Sequence, residues 1–289
     1  MKIAILILAH KDQPQLEFLI KQLQHPSFNI YLHLDKNASF TYHDIQGNYK
    51  SIENNYACSW GGYSVAKATF NLLKKAFDDG NEYFILISGQ DFPVKTNEQV
   101  FDFFLKHRGK SFIYMISKEQ VKVEPLVDYN NFLQRFALIH VPKRAPKNFI
   151  EKIGFSFKAR WRQLQKKYSF LRFPMPANIY AGENWFNLHR DEVAHLLAEY
   201  KKSIILRFRL SLGLSMEEVL PHTLLNRNLL TKNWVNDSLR FTIWKPNTSH
   251  PECLSYENLD EAVSSNELFA RKFDDIKVIH QLSEKLKQS

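Results

Sequence analysis

The sequence predicts an α/β architecture with a mostly parallel central sheet flanked by helices, and three observations lead there. Apolar runs of strand length alternate with helix-period segments through residues 1–118. One run, Tyr83 to Ser88, opens with five consecutive apolar residues, the pattern of a strand covered on both faces. It breaks at once into Ser88-Gly89-Gln90-Asp91-Phe92-Pro93, which sets polar groups at the carboxyl edge of the sheet, where open α/β folds bind ligands. Pro93 fixes its own φ and biases Phe92 toward extended backbone, so Asp91 is expected on a stiff loop; a solvated Asp91 at an ordinary junction is the plain alternative.

In chain order, strands are expected at Lys2 to Ala9, Phe28 to Asp35, Tyr83 to Ser88 and Phe112 to Ile116. Helices fall between them at Pro14 to Leu23, Ser64 to Phe77 and Asn97 to His107, with Ser64 and Thr96 as N-caps and Gly80 and Gly109 as terminators. Gly61-Gly62, just before the second helix, lets backbone approach a ligand or another segment closely. The second half is less regular: a strand at Ile179 to Leu188, helices at Arg190 to Lys202 and Glu217 to Asn226, and a strand at Leu239 to Trp244. A short helix through Glu267 to Phe273 and an amphipathic helix from Asp275 complete the series. With no linker, repeat or low-complexity tract, one continuous domain over 1–289 is expected.

Length and composition narrow the class. A chain of 289 residues with 44% hydrophobic content can bury a sizeable core, and its longest apolar runs are too short for a membrane-spanning helix. Met1-Lys2-Ile3 opens a strand-like run without a small-residue cleavage site, and the only cysteines, Cys58 and Cys253, are far apart; both features point to a cytoplasmic, reducing setting. The net charge of +9 is concentrated in 143–172, through Lys143, Arg144, Lys147, Lys152, Lys158, Arg160, Arg162, Lys166, Lys167 and Arg172. Interleaved aromatic and aliphatic residues make this a basic amphipathic segment suited to an anionic membrane surface, at the inner face of the plasma membrane, or to a polyanionic substrate. A solvated helix whose aromatics join the core is the other reading. Nucleic acid is not favoured, because no recognition motif accompanies the charge.

No P-loop, G-x-G-x-x-G after the first strand, H-E-x-x-H, Cys-His cluster, G-x-S-x-G elbow or kinase set occurs. The D-x-D triplet with which many nucleotide-sugar enzymes hold a divalent metal is also missing, so a mechanism without metal or other cofactor is expected. What remains is a set of charged groups at element edges: Asp35, Asp91, Glu217-Glu218 and Arg271-Lys272. A carboxylate can take the proton of an attacking hydroxyl, and paired cations can neutralise a departing diphosphate. Helix-dipole stabilisation after a Ser215 cap is the structural alternative for Glu217-Glu218, and a solvated face for Arg271-Lys272.

Taken together these pieces resemble the core-2/I-branching N-acetylglucosaminyltransferase family, which also contains peptide O-xylosyltransferases, in a bacterial-type member. The resemblance runs in order through Leu8-Ala9-His10, Ile30 to Lys36, Ser59-Trp60-Gly61-Gly62-Tyr63-Ser64, Ser88 to Thr96, Gly182-Glu183-Asn184-Trp185-Phe186, Ser215-Met216-Glu217-Glu218, Leu239 to Trp244 and Phe269 to Phe273; Gln120 to Ala177 carries no such motif. It implies a glycosyltransferase-A (Rossmann-like) fold, an inverting reaction, a UDP-sugar donor (GlcNAc foremost, xylose as the alternative), a glycan or lipid-linked saccharide acceptor, and no metal. By position, 1–118 would bind the nucleotide sugar through His10, Asp35 and Asp91, with Arg271 and Lys272 from the other half anchoring the diphosphate. The half 119–289 would supply the acceptor site, with Asn184, Trp185 and Trp244 beside the acceptor and Glu218 as base. Both tryptophans could equally be core residues. Met216 stands where the family has proline, Glu217 where it has aspartate, and Asn184 where relatives often carry aspartate. A non-catalytic carbohydrate- or polyanion-binding protein on the same scaffold is the remaining alternative.

Overall fold

The computed structural model describes residues 1–288 apart from 53, 122–128, 143, 144, 147, 177, 228–232, 246, 247 and 249. In chain order the elements of the first half are β1 (Ile3–Ala9), α1 (Gln13–Gln22), β2 (Phe28–Leu34), β3 (Lys50–Ser51), α2 (Tyr63–Asp78), β4 (Tyr83–Ser88), β5 (Asp91–Pro93), α3 (Asn97–Lys106) and β6 (Ser111–Ser117). Then come α4 (Lys118–Val121), α5 (Tyr129–Ala137), α6 (Phe149–Lys167), β7 (Tyr180–His189), α7 (Arg190–Lys202), α8 (Ile204–Ser211), α9 (Leu220–Leu225), β8 (Trp234–Val235), β9 (Arg240–Thr242), α10 (Leu259–Ser264), β10 (Phe269–Arg271) and α11 (Ile276–Gln288).

The central sheet has the order β3-β2-β1-β4-β7-β6-β8. β1 pairs in parallel with β2 and β4, and β7 runs antiparallel to both β4 and β6, so the sheet is mostly parallel with one reversed strand. Covering both faces of β1 and β4 explains their unbroken apolar character. Ile3, Ile5, Ile7, Tyr83, Ile85 and Ile87 enter one core, while Ala4, Leu6, Phe84 and Leu86 enter the other. The expected Thr96 cap forms a reciprocal capping box with Gln99, and Gly80 and Gly109 take the left-handed conformations (φ 82° and 80°) expected of terminators.

Four local expectations are corrected. Ser64 is not the cap of α2: the helix starts at Tyr63 after Gly62, and the Ser64 hydroxyl instead accepts from the Ser59 N–H. Asp91 does not sit on a loop but opens β5, which belongs to a second sheet, β5-β10-β9. The helix expected at Glu267 to Phe273 does not form; its centre is strand β10, bonded antiparallel to β5 and parallel to β9, because a short apolar run reads alike for both structures and pairing on both sides decides it. The helix expected from Glu217 divides into a 3-10 turn, Met216–Glu218, and α9. Ser215 precedes that turn with φ 55° and makes no side-chain cap, so the helix-dipole reading of Glu217-Glu218 lapses.

Two close approaches account for glycines. A Cβ at Gly61, whose φ is 67°, would collide with Leu214, and the Ser215 N–H donates to the Gly61 carbonyl at 2.8 Å. The pair of glycines therefore admits another segment of chain. At Gly182 a Cβ would strike the Tyr114 carbonyl, beside the register shift where β6 bulges against β7.

Candidate active site at the carboxyl edge of the sheet

Because β1, β2 and β4 are parallel, their carboxyl ends share one edge, and the sequence continues from them into His10, Asp35 and the Ser88–Asp91 turn. The small sheet delivers Arg271 to the same edge, in register with Asp91 on one side and Thr242 on the other. Gln15, buried on α1, clamps the two segments by donating to the carbonyls of Gly89 (2.9 Å) and Phe273 (3.1 Å).

Asp91 is fully buried as a side chain, which removes the solvated alternative. It accepts from the Ser88 N–H at 2.6 Å and the Ser88 hydroxyl at 3.1 Å, and lies 3.5 Å from Arg271 Nε. The Arg271 guanidinium also lies over Trp185, 4.1 Å from the ring centroid. An ion pair on one side and an aromatic face on the other fix a planar cation, only 15% exposed, in one orientation. Arg271 is thus no solvated surface charge. Lys272 Nζ lies 4.0 Å from Asp274, whose carboxylate accepts from Lys11 at 2.7 Å.

Asp35 is buried and committed locally: its carboxylate accepts from the N–H groups of Asn37 (2.7 Å) and Cys58 (3.0 Å), drawing the Cys58 loop against the end of β2. Burial, then the Asp35 charge, pushes the Cys58 thiol up to about 12, so it is no nucleophile at neutral pH. His10 is held below its usual pKa by desolvation and then by Lys11, and it senses the charges of Asp35, Asp274 and Lys272. A neutral imidazole therefore stands in the cluster with Lys11, Asp35, Lys272 and Asp274.

On the 3-10 turn before α9, Glu218 Oε2 lies 2.6 Å from Arg135 Nη1 of α5, and both side chains are about one-third exposed (36% and 34%). An accessible carboxylate facing a fixed cation can accept a proton from a hydroxyl. Glu217 is different: it is buried, and desolvation, reinforced by the Glu218 charge, pushes its pKa well above the ordinary carboxylate range. A carboxyl whose folded-state pKa is raised contributes stability that is complete below the unfolded value and lost as pH rises through the folded one. Glu217→Gln is therefore expected to raise the thermal midpoint at pH 8 relative to wild type and to leave it nearly unchanged at pH 4.5. Equal midpoints for the two proteins at pH 8 would exclude a neutral, buried Glu217.

β7 supplies the remaining wall. Trp185 is partly buried against the second core while carrying Arg271, and the Asn184 side-chain oxygen is buried without a hydrogen-bond partner among the described residues. Trp244 lies two residues beyond β9 and is 43% exposed. The sequence reading did not single out Arg135, Glu183, Arg240 or Gln15 for the site. Burial raises the Glu183 pKa, with a hydrogen bond to Ser238 and then Arg271 and Arg240 opposing, and the buried Arg240 donates to Asn187 (3.2 Å) and to the Leu86 carbonyl (2.9 Å). Glu183 and Arg240 stood inside recognised motifs. Arg135 had no local signal, since it meets Glu218 across 83 positions of sequence.

A model of the Core-2/I-Branching enzyme family matches residues 3–266. The chain is similar to xylosyltransferase 2 of Rattus norvegicus, 23% identical over 256 residues that cover 84% of this chain and 26% of that protein. Against xylosyltransferase oxt of Drosophila melanogaster it is 23% identical over 292 residues, covering 91% of this chain and 30% of that protein. It thus spans between a quarter and a third of the length of these curated relatives.

Proposed function

The chain belongs to the Core-2/I-Branching enzyme family, and from that premise we propose that it is an inverting glycosyltransferase, moving a sugar from a UDP-sugar to a hydroxyl of a glycan or lipid-linked saccharide. The observation that carries the reading is the Arg271 guanidinium, held between Asp91 and Trp185 at the carboxyl edge of the parallel strands. Charge accumulates on the β-phosphate as the glycosidic bond breaks. A cation already fixed in place needs no reorganisation to meet that charge, and this favours the transition state over the bound substrate. Lys272 adds a second cation beside it, and the pair takes the role a divalent metal plays in D-x-D enzymes. His10 and Asp35 line the nucleotide end. Glu218 receives the acceptor proton as the hydroxyl attacks the anomeric carbon from the face opposite the leaving diphosphate, and Asn184, Trp185 and Trp244 lie on the acceptor side.

GlcNAc is the first choice of donor sugar. UDP-xylose is the second reading, favoured by the xylosyltransferases among the similar proteins. Release of UDP from UDP-GlcNAc and from UDP-xylose, measured with and without excess chelator, tests the proposal. Turnover of one donor, unaltered by chelator, is expected. Dependence on added manganese removes the metal-free scheme, and turnover of neither donor favours a binding protein on this scaffold.

A further inference from the structure

We propose that α6 and α8 together form a docking face that lies on a bilayer rich in anionic lipid. The inference is independent of glycosyl transfer and rests on the orientation of two helices. An amphipathic helix on a soluble protein ordinarily turns its apolar stripe inward. α6 does the reverse. Phe149, Ile150, Ile153, Phe157 and Leu164 are exposed by 75%, 81%, 56%, 63% and 42%, and at 3.6 residues per turn they fall within an arc of roughly 100°. Toward the protein α6 presents polar groups: Gln165 is fully buried and accepts from the Ile139 N–H at 2.8 Å, while Arg162 donates to the Ile139 carbonyl at 2.8 Å.

α8 repeats the arrangement. Ile204, Ile205 and Phe208 are 65%, 86% and 69% exposed, whereas Leu210 on the other side is buried. α8 is anchored on the same strip of main chain as α6: Arg209 donates to the Phe136 carbonyl at 2.6 Å, and Leu212, just past the helix, accepts from the His140 N–H at 2.7 Å. Both apolar stripes are thus fastened to residues 136–140. Ten of the fifteen large hydrophobic side chains exposed among the described residues lie between 149 and 208, which separates this surface from the scattered apolar residues any protein shows.

Charge selects the occupant. Residues 143–172 contain ten Lys or Arg and one acid, Glu151, so this segment alone carries +9, the net charge of the whole chain, and the remainder is neutral. Lys143, Arg144 and Lys147 lie outside the described residues. A second copy of the same face would bring two such charges together, whereas an anionic lipid surface offers both an apolar layer and opposite charge. Among the described residues no helix is long and apolar enough to cross a membrane, so the mode is lying on the surface.

The test is co-sedimentation of the full chain with vesicles of phosphatidylcholine alone and of phosphatidylcholine mixed with phosphatidylglycerol. Binding only to the mixed vesicles is expected. The paired variants Ile205→Ser/Phe208→Ser and Ile150→Ser/Phe157→Ser, and the charge variant Lys166→Gln/Lys167→Gln, are each expected to reduce the bound fraction about tenfold. Because the altered side chains are exposed, the thermal midpoints should stay at the wild-type value. The proposal is overturned if the wild type ignores anionic vesicles, if the α8 variant binds as well as wild type, or if the midpoints fall. It is equally overturned if sedimentation velocity shows a dimer that the α8 variant dissociates.

Discussion

Glu218→Gln is expected to lower sugar transfer by about 10²–10⁴-fold, the usual worth of a general base, with UDP affinity nearly unchanged. The amide keeps the size of the carboxylate and an oxygen that can accept from Arg135, which now stands 2.6 Å from Glu218, so the turn has no cause to rearrange. Only the capacity to take a proton is lost. The neighbouring Glu217→Gln is the matched control, because a buried neutral carboxyl has no proton vacancy to offer; that variant should transfer sugar at close to the wild-type rate. Initial rates with whichever of UDP-GlcNAc and UDP-xylose is turned over, alongside calorimetric titration of UDP, give the comparison. Retained turnover in Glu218→Gln, or its loss in Glu217→Gln alone, moves the base to the other residue.

Arg271→Ala should show the second large effect, and in two measurements at once. Asp91 is fully buried and Arg271 nearly so, so removing the cation strands a carboxylate away from water; breaking such a pair typically costs about 3–5 kcal/mol. Chemical denaturation reads that loss. Under conditions where the variant remains folded, kcat should fall more than KM rises, because the charge is needed most when the diphosphate departs. Arg271→Lys separates the contributions. An ammonium restores the charge opposite Asp91 but not the flat contact with Trp185, so stability should recover further than kcat. A variant that loses stability while kcat holds would make the Asp91–Arg271 pair structural and leave the diphosphate to other groups.

The parts of this molecule legible in sequence are those whose causes are local. β1 and β4 declare their burial through unbroken apolar runs, and Thr96, Gly80 and Gly109 mark their helix ends by side-chain chemistry and backbone freedom. The small sheet was not legible, because β5 and β10 are three residues each and owe their conformation to one another across about 180 positions of chain. The same holds in the site. Asp91, Glu218 and Arg271 drew notice through residue type and motif, yet what orients Arg271 is Trp185, and what faces Glu218 is Arg135. Periodicity located the basic segment 143–172 but not its orientation, since a helical pattern has the same spacing whichever way its apolar side turns.

The hydrogen bond from Ser215 to Gly61 ties together two segments far apart in sequence. One strand of that link runs back through Cys58 to Asp35, and the other runs forward two and three residues to Glu217 and Glu218. A side chain at position 61, which would meet Leu214, is therefore expected to displace the Cys58 loop and the Glu217-Glu218 turn together.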